Sequence, residues 1–360
     1  MSDFSKRFHD WFFNKQPEGF ISVGGQAVME GVMMQGPRHV AIAVRKTDGR
    51  IVYKVRKITP LSEKHPWMAW PLVRGVVSFI NSLVGGMKIL TESADMAGLD
   101  AEEPSKFEKK VAQILHVKPD DVMMGFAVVL AILLSVGLFF ALPTFLEALI
   151  KNVIHNKMLV NVIGGVVRMV LFLLYVFLCS KLKEIRRVFQ YHGAEHKSIY
   201  CYESGKDLTV ENARPFTTLH PRCGTSFLVI VMAISILIFL LLGSDTSNPF
   251  LRLGSRLLLL PLVAGVSYEI LKGLAWAENN WFVRAMKWPG LMVQKITTAE
   301  PDDRMLEVAL VSLKASLGYE NPLGDLNGGI YQPEDKTATA AAIVEKPAET
   351  EGAAVSDARP

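Results

Sequence analysis

Residues 192–196 read His-Gly-Ala-Glu-His, and residues 220–224 read His-Pro-Arg-Cys-Gly. His192 and His196 stand four apart, so on a helix they share one face and can grip a single metal ion. Glu195 lies one step around from His196, where its carboxylate could touch a water on that ion. The order His-x-x-Glu-His is the one used by a class of zinc peptidases. His220-x-x-Cys223-Gly224 resembles half of a zinc knuckle with His in place of the first Cys; in such turns Gly permits the tight backbone that follows the ligands. Together the two strings could bring three His, one Cys and one Glu to one site. Every ligand type suits zinc, so Zn2+ or another divalent metal is the expected cofactor.

The spacing leaves the chemistry of that site open. If His220 and Cys223 both join His192 and His196, the ion has four protein ligands and only staples the loop. If one of them joins, a fourth position stays available and hydrolysis becomes possible. Glu195 is read either as the general base on a water or as a salt-bridge partner of Lys197 or Arg187. Glu203, Asp207 and Glu211 are further oxygen donors, or simply balance a basic loop. Glu269 is a candidate for the distant third ligand of an inverted zinc peptidase, against a pairing with Lys272 or Arg168. Glu30, set among glycines, is either another acid of the site or the cap of a turn.

These residues need elements to position them, and the composition says where those elements sit. The chain has 360 residues, 50% hydrophobic and 21% charged, with mean hydropathy +0.26. That fits a membrane core with sizeable aqueous parts. The formal net charge of +4 is too mild to argue for nucleic acid. The three cysteines are Cys179, Cys201 and Cys223; their odd number and lack of paired spacing argue against a disulfide framework. No cleavable signal peptide is expected, since charges flank Trp11-Phe12-Phe13 without a long apolar run.

The fold expected is mainly α, a polytopic helical bundle of about four membrane spans. Apolar runs of about 20 residues mark spans over 122–142, 158–179, 226–243 and 255–276. Lys and Arg crowd the link between the second and third spans, so that His-rich link and both termini are expected in the cytoplasm of a bacterial cell. Within 71–90 an apolar stripe (Val73, Val76, Val77, Ile80, Leu83, Val84, Met87) faces a polar one (Arg74, Ser78, Asn81, Ser82, Lys88). That pattern reads as an in-plane amphipathic helix anchored by Trp67 and Trp70, or else a helix packed on the protein's own surface.

Residues 1–66 are expected to form a small β-rich cytosolic module, with a hairpin of 40–45 and 50–57. Its basic face (Arg50, Lys54, Arg56) meets anionic lipid or RNA, or only solvent. Residues 67–121 then hold the interfacial helix and a charged connection, and 122–179 the first two spans. The His/Cys loop occupies 180–225 and the last two spans 226–276. A C-terminal cytosolic segment fills 277–325, and 326–360, rich in Ala, Glu and Pro, is expected to be a disordered tail.

The chain resembles a bacterial membrane family known as domain of unknown function 1385, the YqhQ-like proteins. The resemblance rests on Gly24-Gly25-Gln26-Ala27-Val28-Met29-Glu30-Gly31-Val32-Met33-Met34 with Gly36-Pro37. It continues through Tyr191-His192-Gly193-Ala194-Glu195-His196-Lys197 and Glu203, then Leu208-Thr209-Val210-Glu211-Asn212-Ala213, and ends with His220-Pro221-Arg222-Cys223-Gly224-Thr225-Ser226. It covers roughly residues 20–315. It implies a polytopic membrane protein of the kind described as a metal-dependent enzyme, and supplies neither substrate nor catalytic residue.

Three functions compete. The first is a membrane metalloenzyme, a hydrolase acting on a membrane or lipidic substrate at the cytosolic surface through Glu195. The second is a non-catalytic scaffold whose loop is folded by a closed His/Cys site. The third is a transporter subunit, suggested by Arg168 and Glu269 within spans. Membrane lipids are expected partners, a homo-oligomer is possible, and nucleic acid is not expected.

Overall fold

The computed structural model describes residues 23–58, 65–98, 119–151, 153–242, 249–276, 281–319, 322 and 330–331. Four antiparallel strands open it: β1 (Gly24–Val28), β2 (Gly31–Gln35), β3 (His39–Arg45) and β4 (Ile51–Lys57). The glycine-rich stretch thus forms strands as well as turns. Gly31 and Gly36 are where neighbouring backbone comes too close for a side chain, against the Ala43 and Ser316 carbonyls. The expected β3–β4 hairpin is present, with Arg45 paired to Ile51.

Helices make up most of the rest. Helix α1 is Val73–Ala97, and α2 (Pro119–Val136) continues through a π-helical turn at Gly137–Ala141 into α3 (Leu142–Lys151). Then come α4 (Lys157–Cys179), α5 (Lys183–Glu203), the single turn α6 (Val210–Ala213) and α7 (Gly224–Leu242). The last are α8 (Pro249–Trp276), α9 (Trp281–Thr297), α10 (Asp303–Leu317) and a two-residue strand, β5 (Ile330–Tyr331). β5 pairs parallel with β4, so part of the expected disordered tail is a strand. The rest of that tail, the first twenty residues and most of the charged connection 100–121 lie outside the described residues.

Alternation along the strands covers both faces of the sheet. Val32, Met34, Ala43 and Ile51 pack on Tyr191, Ala194 and Ile199 of α5 and on Leu306, Val308, Leu310 and Leu313 of α10. Val28, Met33, Ile42, Val44 and Val52 pack on Met96 and Ala97 at the end of α1. The β module, the His/Cys loop and the C-terminal segment therefore share one core rather than standing as three units. Arg45 fastens it, with hydrogen bonds to the Gly49 and Arg304 carbonyls at 2.7 and 2.8 Å and an ion pair with Glu307 at 2.6 Å.

Among the described residues four helices are long and apolar enough to cross a membrane: Val73–Ala97, Met158–Cys179, Gly224–Leu241 and Gly254–Leu274. Three match expected spans. The expected first span is represented by a shorter apolar stretch, Gly125–Phe139. The fourth is α1, the helix expected to lie in the membrane plane or on the protein's own surface. α1 is held by protein at both ends. Gly75 lies against Gly265 and Tyr268 of α8, Arg74 pairs with Glu269, and Met96 and Ala97 enter the sheet core. Arg74, assigned to the polar stripe, is buried, while Ile80, Leu83, Val84 and Met87 of the apolar stripe are exposed. The basic face of β4 is also accounted for: Lys54 and Arg56 pair with Glu92 of α1, and Arg50 with Asp48.

Candidate metal centre

Helix α5 buries nine residues in its second half, several of them polar: Glu195, His196, Lys197 and Ser198. Such burial requires a partner for each polar group. Ser198 Oγ donates to the Ala194 carbonyl at 2.8 Å. Lys197 Nζ donates to the Arg214 carbonyl at 2.8 Å and pairs with Glu300. The helix can pass so close to the loop after α9 because residue 193 is glycine. A Cβ there would stand 2.1 Å from the Ala299 carbonyl oxygen.

The two imidazoles are oriented by backbone carbonyls. His192 Nδ1 is 2.8 Å from the Thr297 carbonyl, and His196 Nδ1 is bonded to the Thr218 carbonyl. A carbonyl only accepts, so both Nδ1 atoms carry the proton and both Nε2 atoms present a bare lone pair. These lone pairs meet at Cys223. His192 Nε2 is 3.1 Å from Cys223 Sγ, and His196 Nε2 is buried facing the same sulfur with no well-formed hydrogen bond. The donor atoms of His192, His196 and Cys223 all lie within 4.8 Å of one another. Cys223 immediately precedes α7, and the Thr225 N–H donates to its sulfur at 3.4 Å. Two imidazole nitrogens with fixed tautomers and one sulfur at a helix N-terminus are a donor set that fits zinc.

His220 stays outside that group. Its ring is 5.6 Å from that of His196 and 4.6 Å from that of Tyr200. Its Nδ1 accepts from the Arg222 N–H at 3.4 Å, which leaves the proton on Nε2, 3.5 Å from Glu203. Like His196 Nε2, this atom is buried with no well-formed hydrogen bond. Burial pulls His220 down to about 4, so the ring is neutral in the fold. Burial likewise lowers His196, against a hydrogen-bonding pull from Cys223.

Glu195 is buried beside this group. Burial raises its pKa, while His192, His220 and a hydrogen bond from the Gly25 N–H pull it back. β1 lies so close that a Cβ on Gly25 would be 2.8 Å from the Glu195 Oε1. Neither salt-bridge partner considered for Glu195 is available to it: Lys197 is taken by Glu300 and Arg187 by Glu30.

The other acids are committed elsewhere. Glu203 pairs with Arg222. Glu269 accepts from Arg74 Nε at 2.7 Å and from the Leu72 N–H at 3.2 Å. Arg168, its alternative partner, bonds to Glu147 instead. Glu30 occupies the β1–β2 turn at φ 54° and holds Arg187, with Tyr191 Oη at 3.5 Å, so it pins the hairpin to α5. Asp207 and Glu211 are exposed on the loop.

Sequence reasoning missed the residues that hold the ligands. Gln294 is completely buried: its Oε1 accepts from the His220 N–H at 2.8 Å, and its Nε2 donates to the His220 carbonyl at 2.8 Å and to Ser226 Oγ at 3.1 Å. Thr297, one turn on, supplies the carbonyl for His192. The only trace in the sequence was amphipathic patterning over 281–297, a helix that also exposes Trp281, Phe282 and Trp288.

A family model described as "Protein of unknown function (DUF1385)" matches residues 70–319, a stretch containing every donor of the cluster. The chain belongs to the DUF1385 family. A relative of this DUF1385 chain, the "Uncharacterized protein YqhQ" of Bacillus subtilis (strain 168), is 35% identical over 301 residues, 82% of this chain and 92% of that protein. No solved structure matches it.

Proposed function

We propose that this DUF1385 chain is an integral membrane metal-dependent hydrolase of the bacterial cell membrane, with its site at the cytosolic surface and both termini in the cytoplasm. The observation that carries the reading is the convergence of three donors, His192, His196 and Cys223, within 4.8 Å of one another, a group that does not include His220. Three protein ligands leave a coordination position for chemistry, whereas four would close it. An ion held there, zinc or a similar divalent metal, would supply Lewis acidity to a water or to a substrate oxygen.

The chain's own residues supply the rest. Thr297 and Thr218 fix the imidazoles through their carbonyls, and Gln294 fixes the turn that carries Cys223. Glu195, buried beside His192 with a raised pKa, would take a proton from a nucleophile and return it to a leaving group. The membrane placement is supported by the four long apolar helices and by Lys and Arg crowding the link that holds the site. α1 then rises from beside α8 into the cytosolic core, with its exposed apolar residues against lipid.

The test is metal content and complementation of a deletion strain for wild type, His196→Ala and Glu195→Gln. His196→Ala should lose the metal. Glu195→Gln should keep it and lose activity by about 10²–10⁴-fold. Full complementation by Glu195→Gln would overturn hydrolysis and favour a scaffold with a structural ion.

A further inference from the structure

Beside the donor cluster lies an apolar crevice of about 220 Å³, walled by α7, the end of α8 and the start of α9. Val229, Ile230 and Ile234 form one wall, Ile270 and Leu274 another. It is larger than a dry cavity of about 150 Å³ that takes up benzene. Its lining includes Pro221 and Ser226, which bracket the cluster residue Cys223 in the chain. The crevice opens outward at Ala233 and Met286, both exposed, on the same flank of α7 as exposed Leu237.

One charged residue lines it. Lys287 is half-buried and, among the described residues, has no carboxylate partner. It stands near Arg222, whose own charge is met by Glu203. Burial and the neighbouring guanidinium both push the Lys287 pKa down. A half-buried cation beside another cation, at an apolar hollow, is a place where an anion would be stabilised.

We propose that this crevice binds an anionic phospholipid of the surrounding bilayer, with one acyl chain between α7 and α9 and the phosphate at Lys287, and that it is the substrate subsite of the centre formed by His192, His196 and Cys223. The role as substrate subsite rests on the hydrolase reading above; the lipid binding itself does not. An acyl chain can enter sideways at Ala233 and Met286 without leaving an apolar environment. The phosphate end then lies on the Pro221–Ser226 side, next to Cys223. α9 exposes Trp281 and Trp288, a residue type that prefers the membrane–water boundary.

The experiment uses the full chain in detergent and phosphatidylglycerol carrying a photoreactive group on one acyl chain, with matched phosphatidylcholine as the control. Labelling should map to residues 229–234 or 285–290 and favour phosphatidylglycerol. Ala233→Phe and, separately, Ala285→Phe should each lower labelling about tenfold by filling the space of several methylenes. Lys287→Gln should lower phosphatidylglycerol labelling about fivefold and leave phosphatidylcholine unchanged. Equal labelling by the two lipids, labels mapped elsewhere, or unchanged labelling in both Phe variants would overturn the proposal. His196→Ala separates the two ideas. It should remove metal and leave lipid labelling intact. A wild-type protein that labels as expected but holds no metal would keep the lipid site and refute the hydrolase.

Discussion

Gln294→Leu should loosen the metal centre without touching a ligand. Leu has nearly the size of Gln, so the space stays filled while three hydrogen bonds vanish. The His220 carbonyl keeps a longer bond from the Cys223 N–H at 3.3 Å. The His220 N–H loses its side-chain acceptor in a fully buried setting, which costs about 1–3 kcal/mol, and each lost bond adds about 1 kcal/mol. After partial relaxation a local cost of about 2–4 kcal/mol is expected at the turn that carries Cys223. Amide exchange over residues 219–224 should therefore quicken by at least about thirtyfold. Metal affinity, read by competition with a chelator, should fall by about 10–100-fold, the usual effect of removing a group that orients a ligand. Exchange unchanged over 219–224, with affinity unchanged, would refute the view that Gln294 fixes this turn.

Gly193→Ala should destabilise the shared core of sheet, α5 and α10 by about 3 kcal/mol, because its Cβ would strike the Ala299 carbonyl at 2.1 Å; denaturant midpoints measure it. Glu269→Ala removes the carboxylate that pairs with Arg74, whose side chain is 6% exposed, and should cost about 3–5 kcal/mol in stability while metal content stays the same. Lost metal there would return Glu269 to the ligand set. For pH, His220 has a folded pKa of about 4 against an ordinary 6.5, so the unfolded chain takes up the proton first as pH falls. Its contribution to stability is full above about pH 6.5 and is lost downward to about pH 4, a swing of about 3 kcal/mol. His220→Asn should flatten the stability profile across that window, and an unchanged slope would show that the ring titrates normally.

How much of this was legible in the sequence depended on distance along the chain. The helical repeat alone put His192 and His196 on one face of α5, since residues four apart on a helix are neighbours wherever the helix packs. The β3–β4 hairpin and three long apolar helices were equally readable, because turn chemistry and hydropathy are local properties. What covers α1 was unreadable for the same reason. Its stripes of Val and Leu against Arg and Ser were real, but a stripe does not say whether protein or lipid covers it, and Arg74 is buried where Glu269 on α8 meets it. At the centre, ligand types came from the sequence and membership came from the tertiary structure. Cys223 joins the two His because the carbonyls of Thr218 and Thr297 leave both Nε2 lone pairs free. His220 lies outside that close group, with its Nδ1 accepting from the Arg222 N–H and its Nε2 near Glu203. Which lone pair remains available is set by hydrogen bonds among segments as much as 105 residues apart, and no local pattern encodes that choice.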